Sequence, residues 1–233
     1  MQKKFPQKTG TYSSTTARKG VILLSGGLDS ATTLYFAKTQ GYKLVALIFD
    51  YGQRHKKEIE CAKKVVQLNR IPYHIVKINL SWAQSSLTNQ KIKVPLGRNL
   101  GGREIPLTYV AGRNIIFLSY AFSLAESINA KKVFIGAHIQ DYSGYPDCRS
   151  QFLNAFQRAV NVGMKQRDIT ISAPLMNKSK QQIIEMGLKL GVPFEQTWSC
   201  YQAGTRPCRK CDSCRFRIRA FEALGLMDPL LSH

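Results

Sequence analysis

Hydrophobic residues in this chain concentrate in short runs separated by longer segments of mixed polarity. Val21–Leu24, Leu44–Phe49, Tyr73–Ile78, Val133–Ile135 and Ile169–Ser172 are brief and rich in β-branched, aromatic or leucine side chains. Each reads as a strand, Val21–Leu24 as a buried one. Between them, apolar positions recur at helical spacing over Asp29–Thr39, Lys56–Leu68, Asn114–Asn129, Asp147–Val162 and Lys180–Leu190, with a last helix near Phe216–Leu224. Gly41 stops the first helix, and Pro72 precedes the third strand. The alternation predicts an α/β fold, a Rossmann-like parallel sheet with helices on both faces. Ligands in such a fold bind at the carboxyl ends of the strands, where the strand order reverses. Only Leu80–Thr108 breaks the rhythm; its Pro95, Gly97, Gly101, Gly102 and Pro106 predict an irregular loop or lid over the site.

Three stretches follow from this reading: a basic flexible arm over residues 1–20, an α/β domain over 21–195, and a C-terminal segment with a final helix over 196–233. The composition is 44% hydrophobic and 21% charged, which excludes fibres, coiled coils and disordered tails. No apolar run is long enough to span a membrane, and Val21–Leu24 is too short for the apolar core of a secretion signal. A cytoplasmic protein without membrane partners is expected. The formal charge of +20 draws anions of every kind, from nucleotides to nucleic acid. A solvated basic surface accounts for it equally well, so charge names no partner.

Chemistry first shows in Ser25-Gly26-Gly27-Leu28-Asp29-Ser30, set between Leu24 at the end of a strand and Ala31 inside a helix. Successive glycines let several backbone N–H groups converge into an anion nest, and the helix start adds partial positive charge. No lysine follows the glycines, so this is not the GxxxxGK[ST] loop. Phosphate binding is expected here, against the alternative of a tight turn capped by Asp29 or Ser30.

Four of the six cysteines, Cys200, Cys208, Cys211 and Cys214, crowd into one short stretch. Such clustering favours a metal over disulfides. Four thiolates close a tetrahedral zinc site of structural type, with an iron–sulfur cluster as the competing occupant. The other two, Cys61 and Cys148, read as a helix core residue and a small loop residue.

Val21-Ile22-Leu23-Leu24-Ser25-Gly26-Gly27-Leu28-Asp29-Ser30 resembles the SGGxDS loop of the ATP pyrophosphatases, which transfer AMP to a substrate oxygen. Further along stand Phe49-Asp50-Tyr51-Gly52-Gln53-Arg54-His55, Gly112-Arg113-Asn114, Gly136-Ala137-His138 and Asp141-Tyr142-Ser143-Gly144-Tyr145-Pro146-Asp147-Cys148-Arg149. With the cysteine spacing, they are similar to the QueC family of 7-cyano-7-deazaguanine synthases, from about Val21 to Leu224. The resemblance implies ATP-dependent conversion of 7-carboxy-7-deazaguanine and ammonia to the nitrile in queuosine biosynthesis, with no obligatory nucleic acid and a homodimer.

By match, the resemblance implies that Leu24–Ala31 hold ATP, with Asp29 assisting Mg²⁺ and Lys178 reaching the pyrophosphate. Asp29, Arg113 and Lys178 are then the expected catalytic residues. Arg54 or Arg113 neutralises the acid or the α-phosphate, Asp141 and Asp147 accept from the base, and Tyr142 or Tyr145 stacks on it. Tyr51, Gln53, His55, Asn114 and Arg149 complete the expected substrate shell, and His55 and His138 are general-base candidates. The runner-up is a tRNA-modifying adenylating enzyme, a thiolase or amide ligase, in which Cys148 would carry sulfur. A non-enzymatic zinc-stapled nucleic-acid module is the third class.

Overall fold

The computed structural model describes residues 18–97, 104–138, 145–202 and 204–231. Five strands form one sheet: β1 (Lys19–Leu23), β2 (Lys43–Asp50), β3 (Tyr73–Lys77), β4 (Lys132–Phe134) and β5 (Thr170–Ser172). The order is β3-β2-β1-β4-β5 and every pairing is parallel, from Val21 beside Val45 to Val133 beside Ile171. The chain therefore adds strands on one side of β1 and then jumps to its other side. That reversal between β1 and β4 opens a crevice at their carboxyl ends.

Six helices cover the sheet among the described residues: α1 (Leu28–Thr39), α2 (Lys57–Leu68), α3 (Arg113–Ser127), α4 (Ser150–Gly163), α5 (Lys180–Lys189) and α6 (Asp212–Glu222). Strand pleating sorts the core. Ile22, Leu24, Ala46 and Ile48 point to one face and pack with Leu34, Ala62, Val65 and Val66 of α1 and α2. Val21, Leu23, Leu47 and Phe49 point to the other and meet Leu118, Ala121, Phe122 and Leu153 of α3 and α4. Each valine, leucine, isoleucine or phenylalanine among them, fully buried, contributes roughly 1.5–3 kcal/mol. A third cluster, around Leu28, Ile183, Phe194 and Phe221, joins α1, α5 and α6. No helix among the described residues is long and apolar enough to cross a membrane.

Two helix starts differ from the sequence expectation. The helix expected from Asp147 is a 3₁₀ turn (Pro146–Cys148) followed by α4, because Arg149 between them is extended (φ −73°, ψ 145°). The last helix begins at Asp212 rather than near Phe216, because Cys211 supplies an extended N-cap (φ −70°, ψ 159°) that turns the cysteine segment directly into the helix. Residues 1–17 of the basic arm lie outside the described residues.

The segment Leu80–Thr108 carries no helix or strand in its described part, as expected. Arg54 holds it in place. Its Nε donates to Ser86 O at 3.1 Å, and its Nη2 donates to Asn89 O at 3.0 Å and Ile92 O at 2.7 Å.

Candidate functional site

The crevice at the β1/β4 reversal is a cavity of about 270 Å³. Its floor is the loop after β1. Gly26 sits at φ +85°, a backbone that side chains rarely adopt, and an added Cβ would fall 2.1 Å from Glu58 O. The turn thus needs glycine on two counts. Gly27 N-caps α1 with no side-chain cap, so the N–H groups of the first helical turn stay open to a ligand. Within the loop the Ser25 and Ser30 hydroxyls lie 3.1 Å apart, Gly27 N donates to Ser25 Oγ, and Ser30 Oγ donates to Gly27 O. Leu24, Ser25, Gly27, Leu28, Asp29 and Ser30 face the cavity. Gly26 stands behind it, where its carbonyl accepts from Trp198 N at 2.9 Å, and Ala31 packs into the core.

The loop after β4 presses on this floor. A Cβ at Gly136 would sit 3.0 Å from Asp29 C and Ser30 N, so any side chain there would press on the backbone of the floor. Two residues on, His138 is buried beside Asp29 at 3.4 Å. Lys180 Nζ completes the group, 2.8 Å from both Asp29 oxygens and 2.9 Å from His138 Nε2. Burial alone would raise the Asp29 pKa, but Lys180 and His138 outweigh it and hold the carboxyl well below its usual range. Lys178, the expected pyrophosphate lysine, does not line the cavity; Lys180 does. The capping box of Ser179 and Gln182 sets α5 so that its first residue points inward while Lys178 stays in the preceding turn.

The opposite wall carries Tyr51, Arg113, Asn114, Phe117 and Tyr145. Gln53 braces this turn, accepting from Tyr51 N and donating to Phe49 O. Burial pushes the Tyr51 phenol up to about 12, against the pull of Arg113. Burial would lower the Arg113 pKa, but Tyr51, Tyr145 and Asp147 more than reverse that, so its guanidinium is a fixed cation. Phe49 and Phe117 stack with centroids 3.9 Å apart. Tyr145 meets Thr108 through its hydroxyl at 2.8 Å and stacks on Tyr109, which ties the long loop over the cavity.

Other expected residues serve the scaffold. Arg54 is occupied by loop carbonyls, and Asp147 Oδ2 accepts from Asn114 N at 3.0 Å, capping α3. His55 packs against Trp198, and burial lowers its pKa against the opposing pull of the Cys200 backbone. Arg149 is exposed and does not line the cavity. Asp141 and Tyr142 lie outside the described residues. Cys148 is buried at the cavity wall, its sulfur accepting from Asn114 Nδ2 at 3.2 Å.

Sequence reasoning missed Glu58, Lys180, Trp198 and the α6 residues Asp212, Ser213, Phe216 and Arg217, all of which line the cavity. Glu58 and Lys180 sit one helical step past recognised motifs; nothing in the pattern singles out the rest. Burial pushes the Glu58 carboxyl up to about 7, with Arg113 opposing.

Behind the floor, the sulfurs of Cys200, Cys208, Cys211 and Cys214 lie within 4.8 Å of one another. Backbone N–H groups of Gln202 and Cys208 point at Cys200 Sγ, and those of Lys210 and Cys211 at Cys208 Sγ. Hydrogen bonds from Cys200 and Cys214 hold Cys211 low as a thiolate, while those two thiols are pushed up. A metal ion replaces the shared protons, so this donor set fits one. Cys61 packs against the group with Trp198 and Val94.

Comparison with known proteins identifies the family of this chain. The model of the queuosine biosynthesis protein QueC family matches residues 19–225. A 7-cyano-7-deazaguanine synthase of Trichodesmium erythraeum is 49% identical over 221 residues, covering 91% of this chain and all of that one. Proteins of the same name from Clostridium kluyveri and Thermosynechococcus vestitus are 47% and 48% identical, covering 91% and 92% of this chain and 97% and 96% of their own. A match running from β1 through α6, carrying the floor, both walls and all four cysteines, places this chain in the QueC family of queuosine biosynthesis proteins.

Proposed function

We propose that this chain converts 7-carboxy-7-deazaguanine and ammonia to 7-cyano-7-deazaguanine at the expense of ATP. One observation carries the reading: a single cavity has an anion cradle on one side and Arg113, Tyr51 and Tyr145 on the other. That pairing suits a nucleotide phosphate on one side and an aromatic acid on the other. A carboxylate does not lose oxide unaided. Transfer of AMP to one carboxylate oxygen makes that oxygen a leaving group, and ammonia displaces it to give an amide. A second activation of the amide oxygen yields the nitrile.

In this reading the N–H groups at the start of α1 and the serine hydroxyls take the phosphates. Lys180, now on Asp29, would supply positive charge to the phosphates, and Asp29 would be the carboxylate to hold Mg²⁺. Arg113 stabilises the charge that builds on the reacting oxygen. Tyr145 stacks on the base. The four cysteines would hold zinc, whose part would be structural; Trp198 joins Cys200 O to the Gly26 carbonyl, so this knot backs the cradle. The resemblance adds a homodimer, which light scattering measures.

The test is mass spectrometry of the product formed from the acid, ammonium and MgATP without RNA; the nitrile is expected. Inactivity unless RNA and a sulfur donor are supplied would move the assignment to a thiolase. Cys148 at the cavity wall favours that reading, as does the +20 charge. Cys148→Ser keeps an acceptor for Asn114 and leaves nitrile synthesis nearly unchanged, whereas sulfur transfer through Cys148 would stop.

A further inference from the structure

Beside the main cavity lies a small recess of about 10 Å³, with Tyr51, Gln53, Arg54, His55, Leu87 and Tyr201 on its wall. Such a volume admits one molecule the size of water, and ammonia is of that size. The carboxylate that borders both spaces is Glu58, on the first turn of α2. The recess is also polar: His55 Nδ1 is buried without a hydrogen-bond partner among the described residues.

Resting on the reaction proposed above, we infer that the recess seats ammonium and that Glu58 takes its proton. Ammonium is the dominant species at neutral pH and has no lone pair, so a base at the site lets the enzyme draw on the whole ammonium pool instead of the small free-ammonia fraction. One N–H proton passes to the Glu58 carboxylate and frees the nitrogen lone pair. The nitrogen attacks the adenylated carboxyl carbon, forming the C–N bond. The C–O bond to AMP then breaks, its electron pair leaving on the AMP phosphate. The second proton, lost from the tetrahedral nitrogen, leaves with that phosphate. The products are amide and AMP, with Glu58 protonated and reset by solvent.

The charges around Glu58 fit this task. Arg113 of α3 draws its carboxyl down, while burial, the larger effect, leaves it near 7, where a base still accepts protons at neutral pH. From the preceding loop, Tyr51 is held un-ionised, Arg54 is turned to loop carbonyls, and His55 is held toward neutrality by burial. Tyr201 faces it from the C-terminal segment. His138 is engaged with Lys180 on the far wall.

Hydroxylamine separates this role from a structural one, because it is largely unprotonated at pH 7 and traps an adenylated acid as a hydroxamate without a base. In Glu58→Gln the ratio of ammonia-dependent to hydroxylamine-dependent product formation at pH 7 falls about 100-fold, the usual worth of a positioned base. Equal loss with both nucleophiles, or an unchanged ratio, overturns the inference. Should Glu58→Gln not fold, the unsubstituted enzyme decides. Its pH profile shows a limb near 7 with ammonium and not with hydroxylamine; the same limb with both overturns the inference. Absence of hydroxamate from the unsubstituted enzyme, with acid and MgATP present, would refute adenylation itself and so marks failure of the underlying reading.

Discussion

Lys180 shows how much one side chain decides here. It is the cation that touches both Asp29 and His138 inside the cradle. Lys180→Met should lower turnover by about 100- to 1000-fold, the cost of one removed charge-stabilising donor, while Lys178→Met changes steady-state rates little. Asp29 and Glu58 have opposite linkage to pH. Asp29 is depressed below its ordinary 3.8, so its contribution to stability is present above that value and lost as pH falls below it. Glu58 is raised from 4.5 to about 7, so its contribution is present below 4.5 and lost as pH rises through 7. Thermal melts should therefore find Glu58→Gln more stable than the parent at pH 8, by on the order of 1–3 kcal/mol, with the gap closing by pH 5. Such a gain on removing a buried acid is the signature of a residue kept for chemistry.

At the scale of elements, the helix starts are where the site is built. α1 offers uncapped N–H groups, α3 carries Arg113 on its first residue, α5 carries Lys180 on its first, and α2 carries Glu58 in its first turn. α6 is anchored differently. Arg217 is 2% exposed and pairs with Asp228, 3% exposed, at 2.7 and 2.9 Å, while also donating to Thr197 Oγ1 and Phe194 O. Asp228→Ala leaves that guanidinium buried without its counter-charge. Urea denaturation should record a loss of about 3–5 kcal/mol. Because Arg217 also faces the cavity, the Michaelis constant for ATP should rise with it.

For the whole molecule, the cysteine cluster and the cradle are one structure. Trp198 N donates to Gly26 O, and Trp198 Nε1 donates to Cys200 O, so the cysteine segment grips the cavity floor from behind. Chelation should therefore lower the melting temperature and weaken nucleotide binding together, as followed by calorimetry, and zinc should restore both. Elemental analysis yielding iron would replace the zinc assignment with a cluster.

The strand runs and helix periods were legible in the chain because burial on both faces of a parallel sheet demands continuous apolar strands, and Val21–Leu24 and Leu44–Phe49 supply them. The Gly26-Gly27 turn and the cysteine spacing were legible too, since a left-handed backbone and a four-thiol chelate each restrict residue type locally. What the chain alone did not tell was which lysine enters the cradle, that Arg54 and Asp147 brace the scaffold, and that Glu58 and α6 wall the cavity. Those choices depend on the angle at which a helix leaves its cap and on contacts between residues far apart in sequence. Only packing of the whole fold settles such contacts.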